Sequence, residues 1–340
     1  MRIGLITGGG DCAGLNAAIR AVVKHGHRTG HSIVGFRNGW KGVAEGTVVP
    51  LSRTDVRNVL PQGGTMLGTA RFHPHREDGG IAAVHATLEQ ERVEALICIG
   101  GDGTLHAASK VAESGVKVVG IPKTIDNDVW GTDRSIGFDT AVHVATEAID
   151  RLHTTAESHD RVMVVEVMGR DAGWIAVHAG IAGGAEVILA PEHPFDIEAI
   201  TRALRHRHRA HASFSIVVVA EGAVPAQDTA MHYTTERDDL GQIVAGATGE
   251  RVAGEIAERT GFETRVTVLG HIQRGGTPLP SDRVLASRFG YHAVQALNDG
   301  HSEVMTAIRG DEIELVPLTD IAGKLKTAPP QLLTIAGALA

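Results

Sequence analysis

Two strand-and-loop units in direct succession, residues 96–128, leave this chain little choice of fold. The stretch reads LICIGGDGTLHAASKVAESGVKVVGIPKTIDND. An apolar run at 96–99 opens into Gly100-Gly101-Asp102-Gly103-Thr104, and apolar positions at helical spacing follow. A second apolar run at 118–121 opens into Pro122-Lys123-Thr124-Ile125-Asp126-Asn127-Asp128. Continuous apolar runs alternating with helices imply a parallel sheet, and such sheets take their ligands in the loops at the carboxyl ends of the strands. The stretch therefore predicts an α/β fold with its chemistry in these two loops.

The first loop suits phosphate. Glycines permit positive φ and close backbone approach, and free N–H groups ahead of a helix attract anions. Asp102 adds a carboxylate for a phosphate-bridging Mg²⁺, which takes one or two carboxylates plus phosphate oxygens. The plainer alternative is a tight turn with Asp102 as helix cap. In the second loop Asp126 and Asp128 stand two apart, on the same side of an extended backbone, one as a base and the other for geometry or metal. The alternative there is an Asx-type turn.

The remaining chain repeats the pattern. A strand at 3–7 runs into Gly8-Gly9-Gly10-Asp11 and a helix marked by Leu15, Ile19, Val22 and Val23, without the glycine spacing of a dinucleotide site or the lysine of a P-loop. A strand at 32–36 precedes the loop Gly63-Gly64-Thr65-Met66-Leu67-Gly68-Thr69-Ala70-Arg71, whose terminal guanidinium suits a transferring phosphate. A helix follows (Ile81, Val84, Leu88), and beyond the central stretch comes another at 140–153. Arg161 precedes an apolar run at 162–167 that closes on Met168-Gly169-Arg170. Further strands are expected at 185–189, at 216–220 before Glu221, and at 266–269 after Arg265; His271-Ile272-Gln273-Arg274-Gly275-Gly276 comes next. Helices are expected at 195–211 and 243–260, with a polar inserted loop at 225–242. The basic end RALRHRHRAH lacks interleaved aromatics and reads as a solvated helix terminus whose charges suit the dipole.

Composition narrows the class. The chain has 340 residues, 43% hydrophobic, with 42 glycines and only 4% aromatics, enough for two domains with many loops and close helix–sheet contacts. A formal charge of −8 argues against general nucleic-acid affinity. Two cysteines, Cys12 and Cys98, without a CxxC spacing, an N-terminus without signal-peptide design, and no apolar stretch near membrane-spanning length predict a cytoplasmic protein off the membrane.

GGDGT followed by PKTIDND resembles the phosphofructokinase family, and particularly its mixed-substrate branch, in which a lysine precedes TIDND. The motifs keep the family's order from Ile3 to about Arg288; the tail beyond about Asp320 carries none, and Gly8 and Ala13 depart mildly from the usual Ser and Pro. The resemblance implies two Rossmann-like, three-layer domains with mostly parallel sheets: 1–137 with about 273–323 for the phosphoryl donor, and 138–272 with about 324–340 for the sugar phosphate. It implies MgATP as donor, held by Gly9, Gly101, Asp102, Gly103, Thr104, Arg71 and Phe72, with Asp102 on Mg²⁺. It implies fructose 6-phosphate as acceptor, held by Thr124, Ile125, Asp126, Met168, Gly169, Arg170, Glu221, Ile272 and Gln273. Arg161 and Arg265, joined by His271 and Arg274, would reach the 6-phosphate across a subunit contact of a homodimer or homotetramer. Asp126 would be the base and Arg71 the stabiliser of the transferred group.

Two residues point to different donors. Gly103 leaves room for a nucleotide α-phosphate, where an aspartate goes with pyrophosphate use in the family; Lys123 is typical of pyrophosphate enzymes. Glycine with lysine is the mixed-substrate combination among ATP users, so ATP is the expectation and pyrophosphate the alternative. NAD and lipid kinases share the GGDG loop but lack TIDND, MGR and HIQRGG. A non-catalytic sugar-phosphate sensor would have no use for Asp102 together with Asp126.

Overall fold

A computed structural model of the chain describes residues 1–210, 214–227, 231 and 243–339. Most of the expected inserted loop at 225–242, and His211 at the expected end of its helix, lie outside these residues. Two compact units emerge, Met1–Thr140 with Arg274–Leu325, and Ala141–Gln273 with Lys326–Ala340.

The first unit is built on the strands β1 (Arg2–Thr7), β2 (Ser32–Phe36), β3 (Val48–Leu51), β4 (Ala95–Gly100), β5 (Lys117–Pro122), β10 (Val304–Arg309) and β11 (Glu312–Pro317). Their order is β11-β10-β5-β4-β1-β2-β3. All neighbours are parallel except the two edge pairs, β2–β3 and β10–β11, which are antiparallel. Side chains alternate across the sheet. Ile6, Leu96 and Cys98 join a core with α2 (Trp40–Ala44), α3 (Gly80–Gln90) and α4 (Asp102–Glu113). Leu5, Ile97 and Ile99, equally buried, point to the other face, where α1 (Leu15–Arg28) packs on β2 and α9 (Pro280–Asn298) on β5 and β10. With both faces covered, the strands read as unbroken apolar runs.

The second unit holds β6 (Val162–Val167), β7 (Val187–Leu189), β8 (Ser215–Ala220) and β9 (Thr264–Val268), all parallel, in the order β7-β8-β6-β9. Helices α7 (Ile197–Arg209) and α8 (Ala247–Thr260) bury Ile200, Leu204, Val252 and Ile256 against Val164, Val217 and Val219. Helices α6 (Trp174–Ala182) and α10 (Pro330–Leu339) pack beside β7. The remaining helix, α5 (Phe138–His159), is longer at both ends than its apolar spacing implied. Strand β7 is shorter than expected at three residues. Arg265, expected ahead of its strand, is inside β9, because pairing with β6 already begins at Thr264. The basic end of α7 is paired locally, Arg202 with Asp196 and Arg207 with Glu186.

Candidate active site

In the first unit, β1, β4 and β5 are neighbours in register, with Thr7 opposite Ile99 and Gly100 opposite Pro122. Three loops thus leave the same edge side by side, tied by Gly8 N–H to the Ile99 carbonyl and Lys123 N–H to the Gly100 carbonyl, both 2.9 Å. Strand order turns back between β1 and β4, the place where open α/β sheets open a crevice.

The glycines of the first two loops make room for one buried side chain. A Cβ on Gly8 would stand 2.6 Å from Thr104 Oγ1, and one on Gly100 within 2.5 Å of Thr104 Cγ2. Thr104, expected at the donor, is therefore a buried wedge between two loops. The N-cap of α4 is Gly101, so Asp102 is the first helical residue rather than the cap, exposed with Gly103 at the positive end of the helix. Among the described residues no group of three or more His, Cys, Asp or Glu could hold a metal. One exposed protein carboxylate fits a Mg²⁺ held mainly by donor phosphates and water. Trp40 donates Nε1–H to the Thr104 carbonyl at 3.2 Å and anchors this first turn, a role its sequence position did not announce.

Lys123 is held by the first loop. It is 2% exposed, and its ammonium donates to the carbonyls of Gly8, at 3.0 Å, and Gly10. Burial pushes its pKa down. Arg274 donates to the Asp11 carbonyl at 3.3 Å and packs against the Gly10 α-carbon. Two cations thus hold the carbonyl side of the loop 8–11, and the amides of Gly9, Gly10, Asp11 and Cys12 donate to no acceptor among the described residues. A loop with its carbonyls tied back and its N–H groups available is an anion nest.

The Arg71 loop is strapped onto the same place. Thr69 Oγ1 donates to the Gly9 carbonyl at 2.5 Å, and Thr7 Oγ1 to the Gly68 carbonyl at 2.8 Å. Asn16, buried on α1, donates to the carbonyls of Gln62 and Gly63 and accepts from Met66 N–H. Arg71 is exposed beyond this strap, while Phe72, expected beside a nucleotide, packs partly buried on the core. The sequence signal for Asn16 was an amide on the apolar stripe of α1.

The loop after β5 is closed on itself. Asn127 takes φ +51°, accepts from Ser135 N–H at 3.0 Å and donates to the Asp133 carbonyl at 3.2 Å. Ser135 Oγ donates to the Thr124 carbonyl, and Thr124 Oγ1 accepts from Asp126 N–H. The left-handed Asn127 breaks the alternation that would have put Asp126 and Asp128 on one side of an extended chain. Asp126 is 3% exposed and Ile125 is buried with it.

In the second unit, the carboxyl ends of β6 and β8 gather Met168, Gly169, Arg170 and Glu221. Glu221 accepts from Gly169 N–H at 3.2 Å and Arg170 N–H at 3.0 Å, holding Arg170 at φ +54°. Buried Gln273 accepts from Met168 N–H and donates to the Gly270 carbonyl. Near it, His271 is exposed and Ile272 is 62% exposed. At the opposite, amino ends of β6 and β9, Arg161 and Arg265 converge on one carboxylate oxygen of Glu263, at 2.8 and 2.5 Å. Arg161 lowers the Glu263 pKa through its hydrogen bond and charge, and Arg265 adds to it. Arg274, expected with them, belongs to the first unit, where it donates to the Asp11 carbonyl.

Comparison with known proteins accords with this geometry. The phosphofructokinase family pattern matches residues 2–297. A pyrophosphate–fructose 6-phosphate 1-phosphotransferase of Amycolatopsis methanolica is 55% identical over 97% of each chain. An ATP-dependent 6-phosphofructokinase of Mycobacterium tuberculosis is 53% identical over 97% of this chain and 96% of its own. Among solved structures, the Pichia pastoris phosphofructokinase in the T-state matches with a TM-score of 0.85 at 32% identity, covering 99% of this chain and 36% of that much longer one. Three aligned loops at one sheet edge, with relatives matched end to end, place the chain in the phosphofructokinase family.

Proposed function

We propose that the chain is a 6-phosphofructokinase that transfers the terminal phosphoryl group of MgATP to the 1-hydroxyl of fructose 6-phosphate, giving fructose 1,6-bisphosphate and ADP. The observation that carries this is the pairing, on adjacent strands, of an exposed Asp102 at a helix N-terminus with a buried Asp126 carboxylate. Asp126 takes the hydroxyl proton as the oxygen attacks, and the loop held by Asn127 and Ser135 keeps it in place. The N–H groups of Gly9–Cys12 and the Arg71 guanidinium receive charge on the donor phosphates. Bound Mg²⁺, with Asp102 as its protein ligand, would neutralise donor charge. The exposed Gly103 has no side chain where a nucleotide continues beyond pyrophosphate, which favours ATP.

The pyrophosphate reading rests on Lys123 and on the Amycolatopsis methanolica relative. Lys123 serves it poorly, since its ammonium is taken up by loop carbonyls. The deciding experiment is turnover of fructose 6-phosphate with MgATP and, separately, with magnesium pyrophosphate. ATP turnover is expected; turnover with pyrophosphate alone overturns the donor, and none with either overturns the activity. Asp126→Ala should lower kcat by about 10²–10⁴ with fructose 6-phosphate still bound, as calorimetry would show.

The sugar-phosphate residues imply a homo-oligomer. Arg161 and Arg265 lie at the amino ends of β6 and β9, and Met168, Gly169, Arg170 and Glu221 at the carboxyl ends of β6 and β8. The six residues of β6 separate the two sets by about 20 Å, at roughly 3.3 Å per residue. One sugar phosphate does not span that distance, so two copies of the chain contribute to each site. A cytoplasmic enzyme off the membrane fits a structure in which, among the described residues, no helix is long and apolar enough to cross one.

A further inference from the structure

The space beside Gly103 has a wall. A Cβ built on Gly103 would stand 3.1 Å from His73 Cε1 and 3.8 Å from His73 Nε2. The imidazole is fixed in this place from several sides. Phe72 before it packs on the core, and buried Pro74 after it opens a short 3₁₀ turn, Pro74–Arg76, that packs on α4. Behind it stands His75, ring centroids 5.9 Å apart, and behind that His106 of α4, 5.1 Å further. The Nδ1 atom is closed off from solvent and has no hydrogen-bond partner among the described residues. The ring therefore meets the space at Gly103 through Cε1 and Nε2, not through Nδ1.

We propose that His73 is a donor-specificity residue: the part of the donor that extends past the two phosphates common to ATP and pyrophosphate packs against its imidazole. The inference rests on reading the GGDG loop as the donor site. Any group that uses the room at Gly103 must also meet His73, because both border the same few ångströms. Pyrophosphate ends before that room and ATP continues through it. Burial and the Arg76 charge hold the imidazole toward its neutral form, so its contribution is shape rather than fixed charge. A larger residue at 103 would have to push His73 aside, so the two positions act as one element.

The test compares wild type, His73→Ala, His73→Asn, Gly103→Asp and the double variant His73→Ala/Gly103→Asp. Initial rates are measured with MgATP, with magnesium pyrophosphate as substrate or as competitive inhibitor, and at varied fructose 6-phosphate. His73→Ala should lower kcat/KM for MgATP about tenfold, mainly through KM. The constants for pyrophosphate and fructose 6-phosphate should stay within about twofold. Asn keeps part of the wall and should lose less than Ala does. The MgATP penalty of Gly103→Asp should be at least about fivefold smaller in the His73→Ala background, since contacting residues couple. MgATP constants unchanged in His73→Ala, losses equal for both donors, or penalties that simply multiply would each overturn the proposal. Wild type that neither binds nor turns over MgATP would instead overturn the donor-site reading beneath it.

Discussion

Lys123 shows how a charge acts through the backbone it grips. Its ammonium donates to the carbonyls of Gly8 and Gly10 from a position 2% exposed to solvent. Removing those bonds leaves two carbonyls without their charged partner, at a cost of about 1.5–3 kcal/mol. It also frees the loop whose amides form the proposed donor nest. Lys123→Met is expected to raise the KM of either donor about tenfold while the KM of fructose 6-phosphate stays within about twofold. Steady-state kinetics decide it: a loss confined to kcat would mean that the ammonium acts on the phosphates directly. At this scale the sequence shows residue types and spacing well. GGDG, TIDND and the Arg71 loop stand out because glycine and aspartate interrupt apolar runs. It does not show what a lysine's flexible stem reaches, nor that Thr104 fills the space left by Gly8 and Gly100.

Among the elements, α5 and α9 are joined by one carboxylate. Asp282 of α9 accepts from Gly137 N–H at 2.8 Å, Thr140 N–H at 2.8 Å and Thr140 Oγ1 at 2.5 Å, capping the first turn of α5. Burial raises its pKa to about 6 from the ordinary 3.8. Between those values the folded chain holds the proton more tightly than the unfolded chain. This group therefore adds stability as pH falls from above 6 toward 4, and that contribution is lost as pH rises through about 6. Asp282→Asn turns an NH₂ toward an N–H donor and should destabilise the chain by about 1–3 kcal/mol. It should also abolish the pH-dependent part. Urea midpoints of wild type minus variant between pH 4.5 and 7.5 check both; a difference independent of pH would contradict the linkage. Elements were legible where both faces of a strand are buried, as in β4, β5 and β6. Strands β3 and β11 escaped notice because they are partly exposed edges with mixed side chains. Helix α9 escaped because its contact with α1 uses small residues: Gly290 lies so near that a Cβ would stand 2.7 Å from Ala21 Cβ.

For the molecule as a whole, the separation of the two arginines from the Met168 end of β6 leads to a mixing experiment. The Asp126→Ala and Arg265→Ala chains should each be nearly inactive alone. Dissociated, mixed in equal amounts and reassembled as a closed symmetric pair, they should regain about a quarter of wild-type activity, because half the pairs are hybrids with one intact site of two. No recovery would mean that each chain builds its own site. The tail, which carried no motif, also finds its place at this scale. Trp174 Nε1 donates to the Lys326 carbonyl at 2.9 Å, and Glu192 accepts from Gly173 and Ala328 N–H groups. Deleting residues 326–340 should lower Tm by several degrees and expose the second unit to proteolysis first, as limited digestion would show.

By itself the sequence determined the class of fold and the family, because alternating apolar runs force a covered parallel sheet and because phosphate loops need glycine and carboxylate at close, local spacing. Local spacing survives in one dimension. The tertiary structure alone decided that Lys123 and Arg274 grip the carbonyls of the first loop, that His73 walls the space at Gly103, and that Arg161 and Arg265 meet on Glu263 at the end of β6 away from Arg170. Each of these joins residues that are far apart in the chain or borne on long, flexible side chains. Their distances are set by strand order and packing, which no short-range pattern encodes.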